Sequence, residues 1–188
     1  MLRYYITDRK QLGGLEGLLR NIERQILAGV DWIQIREKDL STRELLALSR
    51  RTVALASSSK TLVFINSRMD VALAACAHGV HLPSHSAAPS EFKRCCAQVR
   101  VGVSCHDLEE LERADTEGAD YAVLGPVFDP ISKSAAGSAL GLERFRELAS
   151  AVKIPVLALG GITEENIPGC RGAGAAGVAG ISLFQAGA

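Results

Sequence analysis

Short apolar runs alternate along this chain with longer stretches in which apolar positions recur every three or four residues. The short runs predict strands near 2–6, 31–36, 61–65, 79–82, 100–103, 120–124, 155–159 and 177–180. The longer stretches predict helices near 12–28, 42–57, 67–76, 88–97, 107–117, 141–151 and 163–171. Helical periodicity is plainest in 42–57, where Leu45, Leu46, Leu48, Val53 and Leu55 recur at core-face spacing. The run 31–36 has a period of two: Trp32, Gln34 and Arg36 share one face, Ile33 and Ile35 the other. That pattern suits a barrel strand whose aliphatic side meets helices and whose polar side reaches the barrel mouth.

Strands that alternate with helices imply a parallel sheet. Eight strands and seven intervening helices predict the α/β class and a closed (β/α)8 TIM barrel, with an open doubly wound sheet as the alternative. At 188 residues the barrel is compact, against about 250 typical, and one domain over 1–188 is expected. The eighth helix is missing from the pattern or truncated. The first and seventh helices would then flank an uncovered groove, which a second copy could fill to make a homo-oligomer.

Composition narrows the partners. Lys+Arg and Asp+Glu both number 21, so the net charge is zero. That gives no support for nucleic acid or an acidic membrane surface as partner. The start, Met1-Leu2-Arg3-Tyr4-Tyr5, runs straight into a strand without a signal-peptide pattern, and no apolar run is long enough to span a bilayer. Five cysteines, odd in number and without metal spacing, fit reduced thiols in the cytoplasm. Cys95-Cys96 reads as a pair of helix residues rather than a redox couple.

The candidate chemistry begins with glycine. Gly160-Gly161-Ile162-Thr163 follows the strand Val156-Leu157-Ala158-Leu159, and Gly180-Ile181-Ser182 follows Val178-Ala179. Two successive strands that end in glycine, each opening toward a helix start, can form a phosphate cup. In a (β/α)8 barrel the loops after strands seven and eight carry such a cup, so a small phosphorylated ligand is expected. Gly172-Ala173-Gly174-Ala175-Ala176-Gly177 spells the dinucleotide fingerprint. It follows a helix and precedes a strand, so it reads as a helix end and tight turn.

Gln34, Arg36 and Lys38 cluster at the end of the second strand. Arg36 can fork onto a phosphate and Lys38 adds a point charge; the competing reading is a solvated salt-bridge loop, Arg36-Glu37-Lys38-Asp39. Asn66 ends the third strand, His81 the fourth, and Ser104 and His106 follow the fifth, as polar residues at a barrel mouth do. His81 and His106 are candidate bases, and equally candidates for satisfied histidines without a role. Cys105 and His106 would point oppositely on an extended strand, which argues against a Cys–His dyad. The long polar loop 129–140 reads as a mobile flap carrying Lys133, with Gly137 a flex point.

Several motifs together resemble a known family. They are Tyr5-Ile6-Thr7-Asp8-Arg9, Gln34-Ile35-Arg36-Glu37-Lys38-Asp39, Ile65-Asn66 with Asp70-Val71-Ala72-Leu73, and Gly79-Val80-His81-Leu82. Gly102-Val103-Ser104-Cys105-His106, Gly118-Ala119-Asp120-Tyr121, Leu124-Gly125-Pro126-Val127-Phe128 and Gly160-Gly161-Ile162-Thr163 complete the set. In order and over most of the chain, this is similar to thiamin-phosphate synthase and its relative, the thiazole tautomerase. The resemblance implies a (β/α)8 barrel in thiamin biosynthesis. It implies that Gln34, Arg36, Lys38, Asn66, Ser104 and Lys133 hold a pyrimidine diphosphate, with Ser132 contacting phosphate from the flap. Gly161, Ile181 and Ser182 correspond to the cup for a thiazole phosphate.

Ser67 and Ser86 stand where the synthase pattern has two magnesium-binding aspartates. Leu82-Pro83-Ser84-His85-Ser86 is similar to the tautomerase branch, yet Pro126 stands where a well-known tautomerase has its histidine. The resulting expectation is a tautomerase-like enzyme on a thiazole phosphate, with no metal or other cofactor and with His106, His81 or His85 as base. The alternatives are a magnesium-dependent thiamin-phosphate synthase that releases diphosphate, and a non-catalytic binder of thiazole or thiamin phosphates.

Overall fold

Each apolar run becomes a strand and each periodic stretch contributes a helix, in the order in which the sequence presents them. The computed structural model describes residues 1–129 and 139–185. Eight strands close into a barrel in chain order: β1 (Leu2–Ile6), β2 (Trp32–Ile35), β3 (Leu62–Asn66), β4 (Gly79–Leu82), β5 (Arg100–Cys105), β6 (Tyr121–Leu124), β7 (Val156–Leu159) and β8 (Gly177–Gly180). The helices are α1 (Leu15–Leu27), α2 (Thr42–Ala56), α3 (Met69–Ala74), α4 (Pro89–Cys95), α5 (Leu108–Thr116), α6 (Gly141–Ser150), α7 (Ile167–Gly172) and α8 (Ser182–Gln185). A closed, parallel strand order excludes the open doubly wound alternative. Contacts divide the chain into two compact units, one of residues 2–81 with 181–188, the other of residue 1 with 82–180.

In the unit of residues 2–81 and 181–188 the period-two reading holds. Ile33, Ile35, Val63 and Ile65 are fully buried and pack with Leu18, Ile22, Leu45, Leu48 and Val71 from the helices. The opposite face, toward the barrel interior, is aromatic. The Tyr4 ring lies edge-on to Trp32 and Phe64 at 5.5 and 5.7 Å, and to His81 at 6.1 Å. Burial of such rings is a large share of what holds a small core together. In α2 the buried stripe is Leu45, Leu48, Ser49, Thr52 and Ala56, so two hydroxyl residues take places expected of Val53 and Leu55. They are tolerated because Ser49 and Thr52 donate to the carbonyls of Leu45 and Leu48, at 2.7 and 3.0 Å.

The eighth helix is cut down to four residues, Ser182–Gln185, in line with the truncated helix expected. Phe184 is buried, its ring 5.5 Å from that of Tyr5. Its carbonyl accepts from Asn21 Nδ2 and Gln25 Nε2 of α1, at 3.1 and 2.7 Å. Four residues are too few to show helical periodicity; the signal in Ser182–Gln185 was one aromatic and one buried amide.

In the unit of residue 1 and 82–180, β5 to β8 pair in parallel register, backed by Leu111 and Ala114 of α5 and by Phe145 and Leu148 of α6. α7 begins at Ile167, four residues later than expected. Pro168 suits the first turn of a helix but not its interior. The side chain of Asn166 takes the Thr163 N–H at 2.9 Å and gives a bond back to the Gly161 carbonyl, also at 2.9 Å. That closed turn stands where a helix start was expected. The glycine-rich run 172–177 connects α7 to β8, as read.

Candidate functional site

The loops that follow β1 and β2 are tied together by one buried carboxylate. Glu37 is 5% exposed. It accepts from the Thr7 hydroxyl at 2.7 Å, from the Arg9 backbone N–H at 3.1 Å and from the Arg9 guanidinium at 3.0 Å. The Thr7 hydroxyl in turn accepts from the Arg36 backbone N–H at 3.0 Å. Arg9 also forks onto Asp39, at 2.6 and 3.1 Å, and Lys10 reaches Asp39 at 3.0 Å. This decides between the two readings of the loop. Its acids are engaged by Arg9 and Lys10, whereas Arg36 and Lys38 take part in no ion pair among the described residues. The sequence reading passed over Arg9; the signal was its place in the Thr7-Asp8-Arg9 motif.

Gln34 is the second informative residue. It is 1% exposed, and its Nε2 finds no acceptor among the described residues. A buried donor left unmade costs about 1–3 kcal/mol, so such a group calls for an explanation. Gln34 lies next to half-buried Arg36 along the chain, on the strand end that leads to exposed Lys38. A cleft of about 250 Å³ lies on the Ile35 side of β2, lined by Ile35, Glu37, Lys38, Leu40, Asn66, Ser67 and Arg68 among others; neither Gln34 nor Arg36 lines it. Lys38 and Asn66 both line this cleft. Arg68 is new, and its guanidinium is engaged by Asp70 at 2.8 and 2.6 Å. Ser67 adopts φ +60°, unusual outside glycine. Its N–H donates to the His81 carbonyl at 2.8 Å, and its hydroxyl accepts from Asn66 at 3.1 Å.

The histidines differ. His81 is buried, and burial, with the nearby Arg36 charge second, pushes its pKa down to about 3. That is far from the neutral value a general base wants. His106 is exposed, its Nδ1 2.9 Å from Glu110 Oε2. Burial works to raise the Glu110 pKa, but hydrogen bonds from Ser84 and His106 outweigh it and hold the carboxyl below its ordinary value. Cys105 closes β5 with its thiol buried, and burial raises that thiol to about 12. A Cys105–His106 dyad is therefore absent, as the alternation implied. Ser104 is half-buried near the end of β5.

The cup residues follow β7 and β8, which pair in register. Gly160 and Gly161 have φ of +96° and +60°, and a Cβ on Gly161 would lie 2.5 Å from the Asp129 carbonyl oxygen and 2.7 Å from Phe128 Cβ. Close approach of the 128–129 loop therefore requires glycine at 161, whatever is bound. Ile181 is half-buried and Ser182, exposed, opens α8. Ser132, Lys133 and Gly137 lie outside the described residues.

The chain has known relatives. The family described as thiamine monophosphate synthase matches residues 3–184. The chain is 46% identical over 181 residues to the Aquifex aeolicus (strain VF5) protein named "Putative thiamine-phosphate synthase 2", covering 96% of each. It is 37% identical over 179 residues to the thiamine-phosphate synthase of Moorella thermoacetica, covering 95% of this chain and 85% of that protein. A solved thiamine phosphate pyrophosphorylase from Pyrococcus furiosus superimposes with a TM-score of 0.87 at 33% identity, over 99% of this chain and 88% of that one. From the strand-end motifs, the barrel and these matches, the chain belongs to the thiamine monophosphate synthase family.

Proposed function

We propose that the protein is a thiamin-phosphate synthase, which joins a pyrimidine diphosphate to a thiazole phosphate and releases diphosphate. The observation that carries this is the pairing pattern at the end of β2. A buried amide donor without an acceptor, Gln34, stands beside two cations whose neighbouring acids are engaged elsewhere. Arg36 and Lys38 are then available to the negative charge that builds on a departing diphosphate, where fixed cations do most for the rate. Asn66 adds a hydrogen-bonding amide at the cleft that Lys38 lines. Gly161, Ile181 and Ser182 serve the thiazole phosphate, and Ser104 and the flap residues Ser132 and Lys133 belong to the pyrimidine diphosphate in this reading. The chain works here as one phosphate-binding domain, and its five unpaired cysteines fit the cytoplasm.

The tautomerase reading gives way. The similar proteins carry synthase names, and His81 is not tuned as a base. Magnesium does not fit the described residues at the expected positions. Ser67 and Ser86 offer hydroxyls where a hard cation prefers carboxylates. The nearest acid, Asp70, is held by Arg68. No cluster of three His, Cys, Asp or Glu side chains occurs among the described residues. In this reading the charge of the leaving group falls to side-chain cations. The test is product formation. Incubated with pyrimidine diphosphate and thiazole phosphate, the protein should yield thiamin phosphate by mass spectrometry; binding of both substrates without product would leave only a binder.

A further inference from the structure

Glu37 and Lys38 line the same cleft. An anion that approaches Lys38 there also meets the Glu37 carboxylate, and Asp39 follows at the surface, 46% exposed. Two unneutralised acids beside the cation would repel a diphosphate and compete with it for the ammonium. Both acids are held by one side chain. Arg9 reaches buried Glu37 at 3.0 Å and exposed Asp39 at 2.6 Å, and is itself only 17% exposed. Asp39 responds as a held acid does: hydrogen bonds from Arg9, then Lys10, keep its carboxyl well below its usual range. Arg9 starts the 3₁₀ turn Arg9–Leu12, and the Asp8 side chain caps that turn by accepting from the Lys10 N–H at 3.1 Å. The guanidinium is therefore placed by the backbone as well as by its partners.

Resting on the reading of this cleft as part of the pyrimidine diphosphate grip, we propose that Arg9 is a positioning residue for that grip: by holding Glu37 and Asp39 it keeps Lys38 available to the diphosphate. The probe is inorganic pyrophosphate, titrated into the whole chain by calorimetry, with the melting of each variant recorded. Arg9→Ala should weaken binding about tenfold, because Glu37 then loses its guanidinium and Asp39 keeps only the exposed Lys10 beside the cation. Adding Asp39→Asn to that variant should restore most of the loss, which a merely structural role of Arg9 would not allow. In turnover, Arg9→Ala should raise the KM for pyrimidine diphosphate and leave that for thiazole phosphate unchanged. Should Arg9→Ala not fold, Arg9→Lys, which can hold only one of the two acids, should show a smaller loss with the same rescue. Undiminished binding in the Arg9 variant, or no rescue by Asp39→Asn, overturns the inference while the grip stands. A wild-type chain that does not bind pyrophosphate overturns the grip and the inference together.

Discussion

His81 and Gly161 show how a side chain's surroundings decide what its letter means. A histidine at a strand end reads as a base, yet its ring packs near that of Tyr4 and its pKa falls to about 3. Unfolded, histidine titrates near 6.5. Below that pH the unfolded chain binds a proton that the folded chain refuses. Stability should therefore fall from about pH 6.5 toward pH 3, by up to about 1.4 kcal/mol per unit. Urea denaturation at pH 7 and pH 5 checks this; an equal loss in wild type and His81→Phe would contradict it. Gly161 was legible as special, and the structure adds a reason that the sequence did not show: the loop of residues 128–129 crowds it. Gly161→Ala should cost about 1–3 kcal/mol by overpacking, so its loss of ligand would say little about a cup. Ser182→Glu is the cleaner probe: an exposed acid at the start of α8 should weaken thiazole phosphate about tenfold in calorimetry, with melting unchanged. The inward face of Gln34 and Arg36 was legible from strand alternation, whereas the Arg9–Glu37 ion pair is a pairing across 28 residues that periodicity cannot report.

At the scale of elements, strands were read to within a residue or two because buried parallel strands are short apolar runs with sharp ends. Helix starts were less legible, since a cap can be made by a side chain beyond the periodic stretch. α2 begins where expected because Ser41 and Glu44 form a reciprocal cap, the Ser41 hydroxyl accepting from the Glu44 N–H at 3.3 Å and Glu44 from the Ser41 N–H at 2.9 Å. Ser41→Ala should cost about 1 kcal/mol in denaturant melts and leave pyrophosphate affinity unchanged, since the cation-bearing loop is held by Glu37 and Arg9. A large loss of affinity in that variant would mean that α2 rather than Arg9 sets the loop. α7 starts late because Asn166 closes a turn after the glycines. Any anion held at that loop is met by a turn, not by the start of a long helix.

At the scale of the molecule, zero net charge leaves little long-range field to draw in a phosphorylated substrate. In the proposed reading recognition rests on local sorting of charge, with acids held by Arg9, Lys10 and Arg68. No described helix is long and apolar enough to cross a membrane. The barrel and its order of strands were legible throughout. The reaction was less so, because Ser67 and Ser86 weighed toward one branch of the family and the whole-chain similarity toward the other. The most direct measurement is diphosphate release with both substrates and with each alone. The synthase reading predicts release only when both are present, matched one-to-one by thiamin phosphate. No release from the mixture, with both substrates bound, would contradict it.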